Sequence, residues 1–221
     1  MAYIGKIPTA AALTSSDISD GIITNAKLAQ DIISADTALG AEPADTDEFL
    51  VSDAGTLKRM DYSHIKASGG LAEFDQWRIT ANTTSNADIT SNLERNDSTG
   101  FGLLGTGMSE SSGIFTFPST GYWLIEIYQA SKSGGGGGDD VELQLKVTTD
   151  NSSYTEVTKT ENDMGDQEAS NLSTSFLFDV TSTTNCKCKF TTEGMSDGNS
   201  FIIGSSSFNL THFNFSKVGD T

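Results

Sequence analysis

From the middle of the chain onward, large apolar residues fall at every second position, with small or polar residues between them. The pattern is plain at 113–125 and again at 207–215. It is cleanest at 141–147, where Val141, Leu143, Leu145 and Val147 alternate with Glu142, Gln144 and Lys146. A side-chain period of two is what a strand with one buried face requires. Further strands are predicted at 77–80, 122–129 and 175–180. The step from Pro118 to Gly121 reads as a turn between aromatic strands. Many short strands with turns between them predict a mainly β chain, a β-sandwich over residues 71–221.

The segment at 122–128 carries apolar residues on both faces. Trp123, Ile125 and Ile127 share one, and Tyr122, Leu124 and Tyr128 share the other. A sandwich covers only one face of each strand. The second face is therefore expected to meet a neighbouring subunit, with Tyr122, Leu124 and Tyr128 as interface candidates. Phe208, Phe213 and Phe215 add further apolar area to the closing strand.

The first 70 residues lack this alternation. Within 1–40, Thr24 is an N-cap candidate, with Ile23 and Leu28 placed as a hydrophobic staple. A helix is predicted over 25–33. Its apolar positions, Leu28, Ile32 and Ile33, are too few to fold alone, so it is expected to dock on neighbouring subunits, with Leu28 and Ile32 as interface candidates, or on another protein. Within 41–70, residues 48–52 and 57–60 read as a hairpin, with Gly55 at a positive φ. Asp61 then caps a predicted short helix at 62–66. An isolated hairpin is barely stable in water, which makes Phe49 another interface candidate. Ser68, Gly69 and Gly70 mark a joint. The expected organisation is 1–40 as a helical segment, 41–70 as a hairpin-helix unit and 71–221 as a β-sandwich domain; the resemblances given below imply virion attachment for the first, trimerisation for the second and a head for the third.

The formal net charge is −17, and any assembly of several copies would multiply it. Such a surface repels nucleic-acid phosphate and anionic lipid, so no nucleic-acid partner is expected. No run approaches the ~20 apolar residues of a membrane helix, so no membrane insertion is expected. The start holds one Lys, Lys6, and no sustained apolar stretch, so it is not read as a signal peptide. Hydrophobic content of 36% is low for a folded β protein, which points to core supplied by neighbouring subunits.

Little here offers catalysis. Cys186 and Cys188 share a strand face about 6.5–7 Å apart, poor geometry for a mutual disulfide. They read as small buried apolar side chains, and no accompanying Cys or His pair makes a metal site. The glycine run between Ser133 and Asp140 lacks the Gly-Lys-Ser/Thr of a phosphate loop and reads as a loop tip. Residues 161–168 read as an acidic loop. It offers carboxylates to Ca2+ but lacks EF-hand spacing, so a solvated loop is expected and no cofactor. His64 and His212 neighbour no Gly-x-Ser-x-Gly elbow and belong to no metal motif. No catalytic, cofactor-binding or metal residues are assigned, and no enzymatic activity is expected.

Two resemblances sharpen this picture. Gly113-x-Phe115-Thr-x-Pro118-x-x-Gly121-x-Trp123-x-Ile125 resembles the central motif of the complement C1q-like (tumour-necrosis-factor-like) jelly roll, with Trp123 and Ile125 where that family usually has Tyr and Phe. The closing run through Lys217 and Gly219 resembles its final strand. Over residues 72–219 this implies a ten-strand jelly roll and a homotrimer. Separately, Ile4-Gly-Lys6, Leu13 to Asp17, Gly21 to Ala29 and especially Asp45 to Tyr62 resemble the N-terminal regions of tail-fibre and other virion proteins of marine tailed bacteriophages. That implies a virion protein, made in a bacterial host's cytoplasm. Residues 1–70 would attach it to other tail or capsid proteins. The head would meet a bacterial surface glycan or protein through loops near 131–140, 161–169 and 192–200. A capsid decoration or tail structural protein of the same trimeric build is the alternative. A polysaccharide-degrading enzyme is a third reading, disfavoured because no 20–30-residue repeat of a long solenoid spike is present.

Overall fold

The structure, a computed structural model, describes residues 14–19, 38–65, 70–134, 139–195 and 199–221. The chain divides into two units, Met1–Ala67 and Ser68–Thr221. The helix predicted at 25–33, with Leu28 and Ile32, lies outside the described residues.

In the first unit, β1 (Glu48–Asp53) pairs antiparallel with β2 (Thr56–Asp61). Ala54 and Gly55 between them have φ of 48° and 84°, the two positive values that a two-residue turn of type I′ needs. The hairpin matches expectation. The helix after it does not. It is a single 3-10 turn, Tyr62–His64, and the Asp61 side chain makes no capping hydrogen bond. Asp61 is held extended as the last residue of β2. The Tyr62 N–H instead donates to the Asp47 carbonyl at 2.7 Å.

The second unit is a sandwich of antiparallel strands. In chain order these are β3 (Glu73–Ile79), β4 (Leu93–Arg95), β5 (Ser109–Ser111), β6 (Ile114–Thr116), β7 (Gly121–Ser133), β8 (Asp139–Thr148), β9 (Thr155–Met164), β10 (Ala169–Val180), β11 (Lys187–Glu193), β12 (Ser200–Ile202) and β13 (His212–Gly219). One sheet runs β10-β7-β13-β3-β4, with β12 also pairing β7. The other runs β5-β6-β11-β8-β9. The chain switches sheets repeatedly between sequence neighbours, which is the jelly-roll arrangement.

Alternation decides which side chains meet between the sheets. Trp123, Ile125 and Ile127 from β7 face Val141, Leu143 and Leu145 from β8, all fully buried. Phe115 sits among Trp77, Phe190 and Phe215, with ring centroids 5.3, 5.6 and 5.2 Å away. Phe190 stacks on Phe213 at 3.6 Å. Cys186 and Cys188 are free and buried in this core, and burial pushes the Cys188 thiol up. Gly113, at φ 83°, lets the chain pass the Ile89 carbonyl so closely that a Cβ would collide with it.

Several boundaries differ from the sequence reading. The run at 207–215 becomes a strand only from His212. Before it, Thr211 turns its hydroxyl to the backbone N–H and carbonyl of Ala130, at 3.0 and 3.2 Å. Phe208 is left 58% exposed. The acidic stretch at 161–168 is half strand, since Glu161 to Met164 end β9. β3 begins at Glu73, four residues before the predicted strand.

A buried charged clasp closes the β3 end of the sandwich. Asp75 is fully buried. It accepts from the Trp77 indole N–H at 2.8 Å, the Met108 N–H at 2.8 Å and the Arg95 Nε at 3.0 Å. The Arg95 guanidinium lies 5.0 Å from the Trp77 ring centroid and donates to the Met108 carbonyl.

Candidate functional site

The outward face of the β10-β7-β13-β3-β4 sheet is the surface with the most unusual chemistry. Register assigns its side chains to rows. Leu177 on β10 stands beside Leu124 on β7, then Ser216 on β13 and Phe74 on β3. Phe74 is bridged to Leu104 by two backbone hydrogen bonds, at 3.0 and 3.1 Å. Leu177 is 53% exposed, Leu104 43% and Tyr122, one row further on, 40%. This is an apolar strip interrupted on β13 by the small, buried Ser216; its ends at Leu177 and Leu104 are open to water, and Leu124 and Phe74 are half-buried.

The next row is polar and internally bonded. Ser175, Glu126, Asn214 and Gln76 lie side by side across four strands. Asn214 donates to Glu126 at 3.3 Å, and Gln76 donates to Asn214 at 2.6 Å. Asn96 donates to Gln76 at 2.6 Å, and Asn209 donates to the same oxygen. Asn214 and Asn96 are already buried in the single chain.

The third row is Ser173, Tyr128, His212, Arg78 and Glu94. The Tyr128 and His212 rings stack with centroids 4.5 Å apart and planes 2° apart. Tyr128 donates to Glu126 at 3.3 Å, and the nearby Glu126 charge pushes its hydroxyl pKa up, with burial adding to the rise. Burial pushes His212 down, against a backbone hydrogen bond to Leu210 and the Glu126 charge. Arg78 is fully buried, held by Glu94 at 2.9 Å, by Asp97 and by the Ser98 hydroxyl at 3.0 Å. A buried guanidinium is tolerable only when paired in this way.

The sequence-predicted residues separate here. Tyr122, Leu124 and Tyr128 do share the face opposite Trp123, Ile125 and Ile127. Tyr122 and Leu124 belong to the apolar strip, whereas Tyr128 belongs to the aromatic-polar row. Phe49 lies in the first unit, 40% exposed, its ring 6.0 Å from that of Tyr62. Leu177, Phe74 and Leu104 were missed. Only strand register brings them beside Leu124, and one sequence read alone carries no register.

Described residues of the segments after β7, β9 and β11 meet at one end of the sandwich. The Ser133 N–H donates to the Glu168 carbonyl at 2.8 Å and the Gly134 N–H to the Asn199 carbonyl at 2.9 Å. That joins the loops after β7, β9 and β11. Among the described residues no group of three or more His, Cys, Asp or Glu side chains is placed to hold a metal ion. His212 is occupied by Tyr128 and the Leu210 carbonyl, and the raised thiol of Cys188 is a poor nucleophile.

Comparison with solved structures identifies the fold. The chain is similar to the structure of Eiger TNF from S. frugiperda, with a TM-score of 0.51 and 7% identity, covering 69% of this chain and 96% of that one. A crystal structure of murine APRIL at pH 5.0 gives 0.48 and 8%, covering 66% and 98%. No family model and no curated protein matches the sequence. The second unit has the TNF-like jelly-roll fold.

Proposed function

We propose that the chain is a homotrimeric virion structural protein, a tail fibre of a tailed bacteriophage. Residues 1–70 attach it to the particle, and the jelly-roll head presents its loops to the bacterial surface. The assembly half of this reading is carried by the apolar strip of Leu177, Leu124, Phe74 and Leu104. Four large side chains in one row, two of them 53% and 43% exposed, are an apolar surface without a partner in the single chain. Two further copies of the chain are its occupant, each covering part of the strip. The virion half is supported by the resemblance of the first 62 residues to phage virion proteins. Host contact is supported by the meeting of three loops at one end, where three copies multiply a weak contact.

Electron microscopy of intact particles with a labelled antibody, alongside adsorption of particles lacking the protein, tests it. Tail label with lost adsorption is expected. Label over the capsid moves the function to head decoration. Absence of label from particles overturns the virion reading.

A further inference from the structure

The connection from β3 to β4, residues 80–92, is long for one with no secondary structure of its own, and a loop of that length usually carries function. It is tied down along its course. The Thr80 N–H donates to the Asn92 carbonyl at 2.8 Å and draws its ends together. Thr83 and Ile202 exchange backbone bonds at 2.9 and 3.0 Å, and the Ile89 N–H donates to the Phe190 carbonyl at 2.9 Å. The loop therefore grips both sheets, one through β12 and the other through β11. Ile202 pairs in turn with Ser131 near the end of β7. The Asn86 side chain accepts from the Met195 N–H at 3.0 Å and donates to its carbonyl at 3.2 Å. These bonds set the loop at the end of the sandwich where the segments after β7, β9 and β11 meet.

The loop curls round a cleft of about 300 Å³, open to water, a volume at the lower end of ligand sites. Thr83, Thr84, Ser85, Thr90, Ser91 and Asn92 line it with five hydroxyls and one carboxamide. None of these six side chains has a hydrogen-bond partner among the described residues. Their neighbours do the holding. Asn82 accepts from the Gly204 N–H at 3.1 Å, and Asp88 accepts from Lys189 and Thr191, each at 2.7 Å. The loop thus spends its carboxylate and two amides on its own shape and leaves its hydroxyls to the cleft.

Resting on the host-contact reading above, we propose that this cleft binds a neutral sugar unit of the bacterial surface. Hydroxyls and a carboxamide both donate and accept, which matches the hydroxyls of a sugar ring. An apolar ligand finds only Ala87 and Ile89, and Ile89 is buried. An anion finds no cation in the lining, since Lys189 is paired with Asp88, and it meets a chain of −17. A cation finds one carboxylate, already taken. Because the loop is tied before the ligand arrives, little ordering cost opposes binding. No aromatic ring lines the cleft, so hydrogen bonds carry the contact. One site is weak, and several copies on one particle multiply it.

Saturation-transfer difference NMR on the full chain tests this, with glucose, galactose, mannose and N-acetylglucosamine as separate probes and glucuronate as the charged control. Transfer is expected to at least one neutral sugar and not to glucuronate. Thr90→Val with Ser91→Ala, both at exposed positions, removes two hydroxyls and is expected to weaken that binding about tenfold at an unchanged melting temperature. Thr84→Val with Ser85→Ala repeats the test if the first pair shifts the melting temperature. Transfer to none of the neutral sugars overturns the proposal. So does equal transfer to glucuronate, or binding that survives both double variants. Adsorption then separates the two readings. If particles lacking the protein fail to adsorb, host contact stands and lies on other loops; if they adsorb normally, the host-contact reading falls as well.

Discussion

Asp75→Asn changes no volume but removes the one charge that holds the β3 end of the sandwich together. The carboxylate, 0% exposed, accepts from Trp77, Met108, Arg95 and the Gln76 N–H. The amide oxygen of Asn can keep Trp77 and Met108. Its NH2 then faces the Gln76 N–H and the Arg95 Nε, donor against donor. Breaking a buried pair by removing one partner costs about 3–5 kcal/mol. The Arg95 side chain is 36% exposed and regains some water, which puts the cost near the lower end, about 3 kcal/mol. With a urea slope of roughly 2 kcal/mol per molar for a unit of this size, the unfolding midpoint falls by about 1.5 M. Urea titration followed by tryptophan fluorescence measures it, at one fixed protein concentration because assembly adds to apparent stability. A midpoint within about 0.3 M of the parent, at the same slope, refutes the claim that Asp75 is a structural anchor.

Three other perturbations separate the parts of the account. Leu177→Glu leaves the single fold within about 0.5 kcal/mol, as surface changes usually do, but buries a carboxylate in the proposed contact. The concentration for half-dissociation, read by sedimentation velocity, is expected to rise at least about 100-fold, and an unchanged value removes this face from the interface. Burial lowers His212 in the folded chain, so the unfolded chain binds its proton first. Its stability contribution is complete above about 6.5, the unfolded value, and is lost as pH falls from there toward the lower folded value. His212→Gln is expected to flatten that part of the melting-temperature profile, and an unaltered profile assigns the pH dependence elsewhere. Gly113→Ala places a Cβ against the Ile89 carbonyl at a φ of 83° and is expected to cost about 2 kcal/mol or more in thermal unfolding; a cost below about 0.5 kcal/mol shows that the 113 turn relaxes freely.

What could be read from the sequence follows from what is buried on one side only. β7, β8 and the end of β10 alternate because one face meets the core, and the alternation at 122–128 exposed the second apolar face correctly. β9 escaped notice. It is an edge strand, and apart from Val157 and Met164 its residues, such as Thr160 opposite Leu143 and Lys159 opposite Gln144, are polar on both faces. Of the four three-residue strands only β6 showed in the sequence, because its alternation continues through Phe117 into the turn before β7; β4, β5 and β12 are too short for a period to reveal. Asp75 shares a face with buried Trp77 and Arg78 follows Trp77 on the other face, yet both charged residues are fully buried. Pattern alone assigns charged residues to solvent, and only their partners, brought from β4 and the loops around it, permit otherwise. The run at 207–211 failed for the opposite reason: its apolar spacing suits a strand, but the Thr211 hydroxyl takes the backbone bonds of Ala130 that continued pairing would need.

The native mass of the unsubstituted chain at micromolar concentration bears most directly on the central claim. Three chains of 23.4 kDa give a particle of about 70 kDa, and that species is predicted to persist on dilution until the apolar strip is exposed. A single 23.4 kDa species at the same concentration contradicts the account, because Leu124, Leu177, Phe74 and Leu104 would then face water in the working protein.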